Sequence, residues 1–289
     1  MNNVLITGAT GNVGSEILKS LMLLKSDLLI NAGVRNGVEA IQKFNNDKIK
    51  IIRFDFTDID SYKPALTGCD TLFLLRPPQI SDVNQFFKPL IDTADLCSVK
   101  HIIFLSVQGV EKSRLIPHYK IEKLIVESKI PYTFLRPAYF MQNFTTTWRN
   151  DIVNNKRIFI PAGNAKFTLV DVADIGKVAA KIITETQNHE NKKYELTCNE
   201  KLTFKEIAEK ISETLNTSIK YESPSLLKFF LVKRKEKMPT MLIFVIIMLH
   251  YFPRFQKEPE ISDWIKRITN QEPKTFDEFI IKNKNILTK

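Results

Sequence analysis

Asn3-Val4-Leu5-Ile6-Thr7-Gly8-Ala9-Thr10-Gly11-Asn12-Val13-Gly14 is the stretch that decides the fold. The apolar residues over 3–7 read as a strand, and the spacing of Ile17, Leu18 and Leu21 reads as a helix opening after the last glycine. Three glycines in such a turn have separate duties: one permits the tight turn, one lets the backbone approach a pyrophosphate, and one allows close helix–strand packing. The pyrophosphate then sits at the helix N-terminus, where free N–H groups and the dipole favour an anion. The motif therefore predicts a dinucleotide site with Gly8, Thr10, Gly11, Asn12, Val13 and Gly14 around the phosphates.

Beyond this motif, apolar runs over 28–34, 49–54, 71–75, 101–106 and 132–135 alternate with segments of helical spacing such as Phe86, Leu90, Ile91 and Ala94. Uninterrupted apolar strands between helices imply a parallel sheet covered on both faces. The expected architecture is α/β, a doubly wound Rossmann domain over residues 1–150, with a returning strand and helix at about 166–185. Residues 151–289 read as a smaller, mostly helical C-terminal lobe that binds substrate. In it Thr203-Phe204-Lys205-Glu206 forms a capping box ahead of Ile207, Ile211 and Leu215, and 219–221 reads as a short strand.

The composition, 44% apolar and 26% charged over 289 residues, is that of a globular chain able to enclose a cofactor. The 42 basic and 32 acidic residues leave a net charge of +10, but the cations are scattered. The one dense run, Lys233-Arg234-Lys235-Glu236-Lys237, contains an acid and reads as a solvated loop, so no nucleic-acid partner is expected. Cys69, Cys97 and Cys198 are far apart and odd in number, which argues for a reducing cytoplasm and against a disulfide framework or thiolate metal site. The histidines are isolated, so no metal is expected either. The most apolar stretch, 241–249, falls short of the roughly 20 residues that span a bilayer and reads as a buried or pocket-lining helix. With the glycine motif almost at Met1, no signal peptide is expected.

The second strand ends in Gly33-Val34-Arg35-Asn36. A carboxylate there would bind the ribose 2′-hydroxyl; Arg35 suits a 2′-phosphate, so NADP(H) is preferred, with NAD(H) possible. Asp55 and Phe56, after the third strand, are placed at the adenine edge, and Asp58 reads as a cap of the next helix. Leu74, Leu75 and Arg76 end the fourth strand on the ribose and pyrophosphate side.

The Gly-x-x-Gly-x-x-Gly form resembles the short-chain dehydrogenase/reductase superfamily. The stretches 118–123 (His-Tyr-Lys-Ile-Glu-Lys), 130–137 (Ile-Pro-Tyr-Thr-Phe-Leu-Arg-Pro), 140–143, 170–175 and 272–279 are similar to its NmrA-like branch. Typical superfamily members use a Tyr-x-x-x-Lys pair for proton transfer, and Tyr119-x-x-x-Lys123 has that spacing. Counted back from Arg136-Pro137, however, the helix glutamate of the pattern is Glu122, which puts the lysine place on His118 and the tyrosine place on Arg114. One residue of shift turns a helical side chain by about 100°, so Tyr119 and Lys123 face away from the cofactor. The resemblance then implies His118 as ribose ligand or general acid near neutral pH, and Ser106, at the end of the fifth strand, as the catalytic serine, both also touching the cofactor. Pro137, Tyr139 and Phe140 are implied beside the nicotinamide. A flat, apolar substrate is expected against Met141, Asn143, Phe144, Trp148 and Phe244, with Phe229, Phe230 and Tyr251 nearby.

The function expected from these readings is an NAD(P)H-dependent oxidoreductase for a small apolar quinone, carbonyl or imine, acting as a monomer or homodimer. The alternative is a non-catalytic NADP(H) sensor. A sugar-nucleotide epimerase or dehydratase fares worst, because it needs the in-register tyrosine.

Overall fold

The computed structural model describes residues 2–24, 27–37, 44 and 48–288. Seven strands form one parallel sheet: β1 (Asn3–Ile6), β2 (Leu29–Val34), β3 (Ile49–Arg53), β4 (Thr71–Leu75), β5 (His101–Leu105), β6 (Tyr132–Pro137) and β10 (Lys192–Leu196), in the order β10-β6-β5-β4-β1-β2-β3. The strand order reverses between β1 and β4, so the ends of these two strands part company there. Ligands of doubly wound sheets bind at this switch point. Apolar strands need cover on both faces, and helices α1 (Asn12–Leu23), α2 (Tyr62–Leu66), α3 (Lys88–Leu96), α4 (Pro117–Glu127) and α6 (Val172–Thr184) run between the strands. One core joins Leu5, Phe54, Leu72, Phe87, Phe104 and Phe134. Elsewhere α1 packs on α6 through Gly176, where a Cβ would come within 2.7 Å of the backbone carbon of Glu16.

The described residues cluster into two units. The first is Met1–Ala138, Val172–Leu196 and Trp264–Glu272; the second is Tyr139–Asp171, Thr197–Asp263 and Pro273–Lys289. The helix predicted over 172–184 belongs to the first unit, but the strand predicted before it does not. That strand, β9 (Lys166–Val170), lies in a three-stranded sheet with β7 (Tyr139–Phe140) and β11 (Lys201–Thr203), and the main sheet is completed by β10 instead. β8 (Arg157–Phe159) pairs with β12 (Lys220–Glu222). The remaining helices of the second unit are α5 (Arg149–Val153), α7 (Phe204–Leu215), α8 (Leu226–Lys235), α9 (Thr240–Tyr251), α11 (Phe276–Lys282) and α12 (Lys284–Thr288), while α10 (Trp264–Thr269) belongs to the first.

The expected capping box is present: Glu206 N–H donates to Thr203 Oγ1 at 3.2 Å, and Thr203 N–H to Glu206 Oε2 at 2.7 Å. A second one, Thr275 with Glu278, opens α11. The charge run is not a solvated loop at its start. Lys233 lies inside α8, is 2% exposed, and donates to Asp151, a residue 3% exposed, and to Glu236 at 2.8 Å. Nor is 241–249 a buried helix: only one side of α9 is covered. Among the described residues no helix is long and apolar enough to cross a membrane, and no His, Cys, Asp and Glu cluster could hold a metal.

His101 and His250 are each 2% exposed. His101 Nε2 lies 2.8 Å from Thr133 Oγ1, whose own proton goes to the His189 carbonyl at 2.7 Å, so Nε2 donates and buried Nδ1 has no partner among the described residues. In the second unit Trp148 Nε1–H donates to Tyr139 Oη at 2.6 Å, Tyr139 faces His250 Nε2 at 3.3 Å, and His250 Nδ1 lies 2.7 Å from the Ile246 carbonyl. Burial pushes both imidazoles from 6.5 down to about 4. A folded pKa below the unfolded one gives stability that is full above pH 6.5 and is lost as pH falls towards 4. At about 1.4 kcal/mol per unit the loss is about 3 kcal/mol for each residue. His101→Asn is expected to show a shallower fall in urea midpoint between pH 6.5 and 4 than the wild type; equal slopes would rule this account out.

Candidate active site in the first unit

The turn after β1 is shaped by two glycines. Gly8 has φ +59°, and a Cβ there would come 2.6 Å from Leu75 Cδ2. A Cβ on Gly14 would come 2.3 Å from the Gly8 carbonyl oxygen and 2.8 Å from Ala9 Cα. Gly11 caps α1 with an extended backbone; no side chain caps the helix start and no acid occupies its first turn. A cradle that side chains cannot enter, ending on a helix N-terminus with no side-chain cap, fits a pyrophosphate in both shape and sign. Thr7 ties the switch point together. Its hydroxyl donates to the Phe73 carbonyl at 2.9 Å and accepts from Leu75 N–H at 3.1 Å, replacing the ladder where β1 and β4 diverge. Sequence reasoning missed Thr7, although its place directly before the first glycine was visible.

Around this cradle the predicted residues fall into distinct groups. Arg35 is exposed just after β2. Asp55 is half-buried and accepts from the backbone and hydroxyl of Thr57, both at 2.8 Å. Asp58 does not cap through its side chain; it pairs with Arg53 at 2.6 Å. The Phe56 ring packs inward, 4.9 Å from that of Phe54 and edge-on, and its carbonyl accepts from the Tyr62 hydroxyl at 2.7 Å. Leu74 is buried core, while Leu75 is half-buried under Gly8. Arg76 is committed to its own loop, donating from Nη1 to the carbonyls of Pro77, Pro78 and Ile80 at 3.1, 3.2 and 2.7 Å.

Ser106 follows β5 with 2% exposure. Its amide donates to the Leu135 carbonyl at 2.7 Å, yet its hydroxyl has no hydrogen-bond partner among the described residues. A buried hydroxyl without a partner costs free energy unless a ligand completes it. His118, in the first turn of α4, is half-buried beside Phe104 and takes a long 3.5 Å contact from Arg76 Nε to its Nε2. Burial first, and then the Arg76 charge, push its pKa down to about 3. Both causes favour the neutral ring. A neutral imidazole whose Nε2 accepts from Arg76 carries its proton on Nδ1 and can donate a hydrogen bond.

One turn further along α4, Glu122 locks the helix to β6. Arg136 Nε and Nη2 donate to its two carboxylate oxygens at 3.0 and 2.7 Å, and Nη1 reaches Glu111 at 3.2 Å and Glu195 at 3.6 Å. Burial raises the Glu195 carboxyl to about 7 against the pull of Arg136. Tyr119 and Lys123 instead line a surface recess with Arg114, Lys120 and Glu127, and Lys123 pairs with Glu127 at 3.6 Å.

Pro137 is the last residue of β6, and its carbonyl accepts from Gln108 N–H at 3.0 Å. The second unit holds the remaining candidates. Tyr139 packs edge-on to Phe204, Phe167 and His250, and burial raises the pKa of its phenol, so it is a core residue. Phe140 is half-buried and pairs with Val170 in register. Met141, Phe144 and Trp148 are at most 1% exposed and, like Phe229, belong to the core of this unit. Aromatic residues at helical spacing fill cores as readily as pockets, and sequence alone does not separate the two. Asn143 is half-buried, its carbonyl accepting from Trp148 N–H at 2.9 Å. Phe230 and Tyr251 are half-buried, and Phe244 is 54% exposed.

A model of the NmrA-like family matches residues 1–280. The prestalk A differentiation protein A of Dictyostelium discoideum is 26% identical over 279 residues, covering 96% of this chain and 91% of that protein. The NAD(P)H azoreductase of Xenophilus azovorans is 26% identical over 282 residues, with 96% of each chain covered. The crystal structure of an NADPH-dependent quinone oxidoreductase from Escherichia coli matches with a TM-score of 0.85 and 25% identity, over 98% of this chain and 100% of that one.

Proposed function

The chain belongs to the NmrA-like family, and from that premise we propose that it is an NAD(P)H-dependent oxidoreductase reducing a small apolar acceptor of the quinone, carbonyl or imine class. The observation that carries the reading is the buried, unpartnered Ser106 hydroxyl at the end of β5, in the same unit as the glycine cradle. A bound nicotinamide dinucleotide supplies a hydride.

The protein's share is binding and orientation. Gly8 and Gly14 keep the cradle clear, the start of α1 meets the phosphates, and Arg35 meets a 2′-phosphate, which favours NADP(H). The Ser106 hydroxyl donates to an acceptor oxygen or nitrogen, and the Nδ1–H of His118 donates to a ribose hydroxyl. Because His118 stays neutral and Tyr119 lies in the surface recess, neither serves as a strong buried acid. That suits acceptors such as quinones, which need little protonation during hydride transfer. Reductase relatives support this reading over the sensor. Cytoplasmic residence, a monomer or homodimer, and substrate selection by the second unit are further parts of the proposal.

Calorimetry with NADPH and NADH, followed by a quinone and imine panel read at the NADPH absorbance, tests it. Ser106→Ala is expected to lower kcat/KM roughly tenfold, the scale of one hydrogen bond, with NADPH affinity within about twofold. Arg35→Ala is expected to weaken NADPH about tenfold and leave NADH unchanged. Tight NADPH binding with no oxidation by any acceptor would sink the reductase assignment.

A further inference from the structure

Every side chain over residues 241–249 is apolar. On α9 only Ile243, Ile246 and His250 are buried, so the whole outer arc is apolar and exposed: Met241 75%, Phe244 54%, Met248 48% and Leu249 55%. Leu227 and Leu231 on α8, and Phe252 and Phe255 after α9, are exposed as well. α8 and α9 meet where the Phe230 and Phe244 rings lie 5.7 Å apart. A helix exposed on one side carries polar residues there, and a contiguous exposed apolar patch marks an interaction surface.

The charge beside the patch says what covers it. Residues 226–257 hold seven basic residues and one acid, so +6 of the chain's +10 lies in this segment. Lys228, Arg234, Lys235 and Lys237 are exposed and form no ion pair among the described residues. The single acid, Glu236, is committed to Lys233 at 2.8 Å and Arg157 at 3.9 Å. After the apolar run Arg254 lies over the Tyr251 ring at 5.0 Å. Cations thus bracket an apolar helix in sequence on both sides. Two copies joined through this face by a two-fold axis would set unpaired cations against cations.

We propose that the outer face of α9, with the cations of α8 and Arg254, docks on an anionic lipid surface. Apolar side chains enter the acyl boundary and Lys and Arg meet the headgroup phosphates. The 12 residues of α9 extend about 18 Å, enough to lie in the interface but not to cross it. The inference is independent of the reductase reading, and its readout needs no cofactor.

The test is co-sedimentation with vesicles of phosphatidylglycerol and phosphatidylcholine, against phosphatidylcholine alone. The full chain is expected to pellet with the anionic vesicles only, and less so at high salt. Met248→Glu/Leu249→Glu and Arg234→Glu/Lys235→Glu are each expected to lower the bound fraction roughly tenfold, with unchanged thermal midpoints because all four positions are exposed. Met248→Trp is expected to gain a blue-shifted emission quenched by brominated acyl chains. A protein that stays in the supernatant with both vesicle types overturns the proposal. So does pelleting that survives both variants. Self-association without lipid that Met248→Glu/Leu249→Glu abolishes assigns the face to a second copy instead, and stable capture of an acidic protein without vesicle binding assigns it to that partner.

Discussion

Gly14→Ala is expected to remove measurable NADPH binding, a loss of at least roughly a hundredfold in affinity, about 3 kcal/mol. The added Cβ would sit 2.3 Å from the Gly8 carbonyl oxygen, 2.8 Å from Ala9 Cα and 2.9 Å from the Gly8 carbonyl carbon. All three neighbours are backbone, so no rotamer change relieves the clash, and the turn after β1 must open. Overpacking of this kind costs about 1–3 kcal/mol of stability, which lowers the melting temperature by several degrees. Gly11→Ala is the internal control. Its Cβ would meet only the Gly8 oxygen, at 3.2 Å, a contact that a few tenths of an ångström relieve. Calorimetry on both variants should rank Gly14→Ala far below Gly11→Ala; the reverse order would show that the cradle is not what holds the phosphates.

The second large effect is on stability. Glu122→Ala is expected to cost about 3–5 kcal/mol, because it strands a charge in a buried pair. Glu122 is 6% exposed and receives two hydrogen bonds from Arg136; without it the guanidinium keeps only Glu111, largely in solvent, and Glu195 at 3.6 Å. The double variant Glu122→Leu/Arg136→Met removes both charges of the pair but also takes the cation from half-buried Glu195, so it should recover only part of the loss. Urea denaturation of the two singles and the double gives the coupling directly, and simple additivity would mean that the pair is not a unit. Since Glu122 follows His118 by one turn, the single variants are also expected to raise KM for NADPH more than they lower kcat.

Much of this fold was legible in the sequence because its signals are local. The glycine turn, the six strands of the first half and the Thr203–Glu206 box each span a few neighbouring residues. The seventh strand of the sheet was missed because Lys192 and Lys193 are exposed and the run Lys-Lys-Tyr-Glu-Leu lacks the unbroken apolar character of the central strands. β7, with two residues, and β8 and β11, with three each, are too short to carry a periodicity. The burial of Lys233 depends on Asp151, 82 residues away, and nothing near either residue announces the other. The candidate site divides in the same way. The cradle was visible as a pattern, whereas the protonation of His118 is set by burial and by Arg76, 42 residues earlier. The apolar character of α9 was plain, but sequence could not say that half of it would be left uncovered.

The contact at Gly176 bears on how any anion is received at the start of α1. The backbone and Cβ of Glu16 on α1 occupy the space that a Cβ at this position of α6 would need, so only glycine lets the two helices approach this closely. Such a helix cannot slide or roll without breaking van der Waals contact along its length. Its amide groups are therefore aimed before a ligand arrives, and association does not have to order them. The entropy that a floppy phosphate loop would surrender at the moment of binding has here already been surrendered in folding.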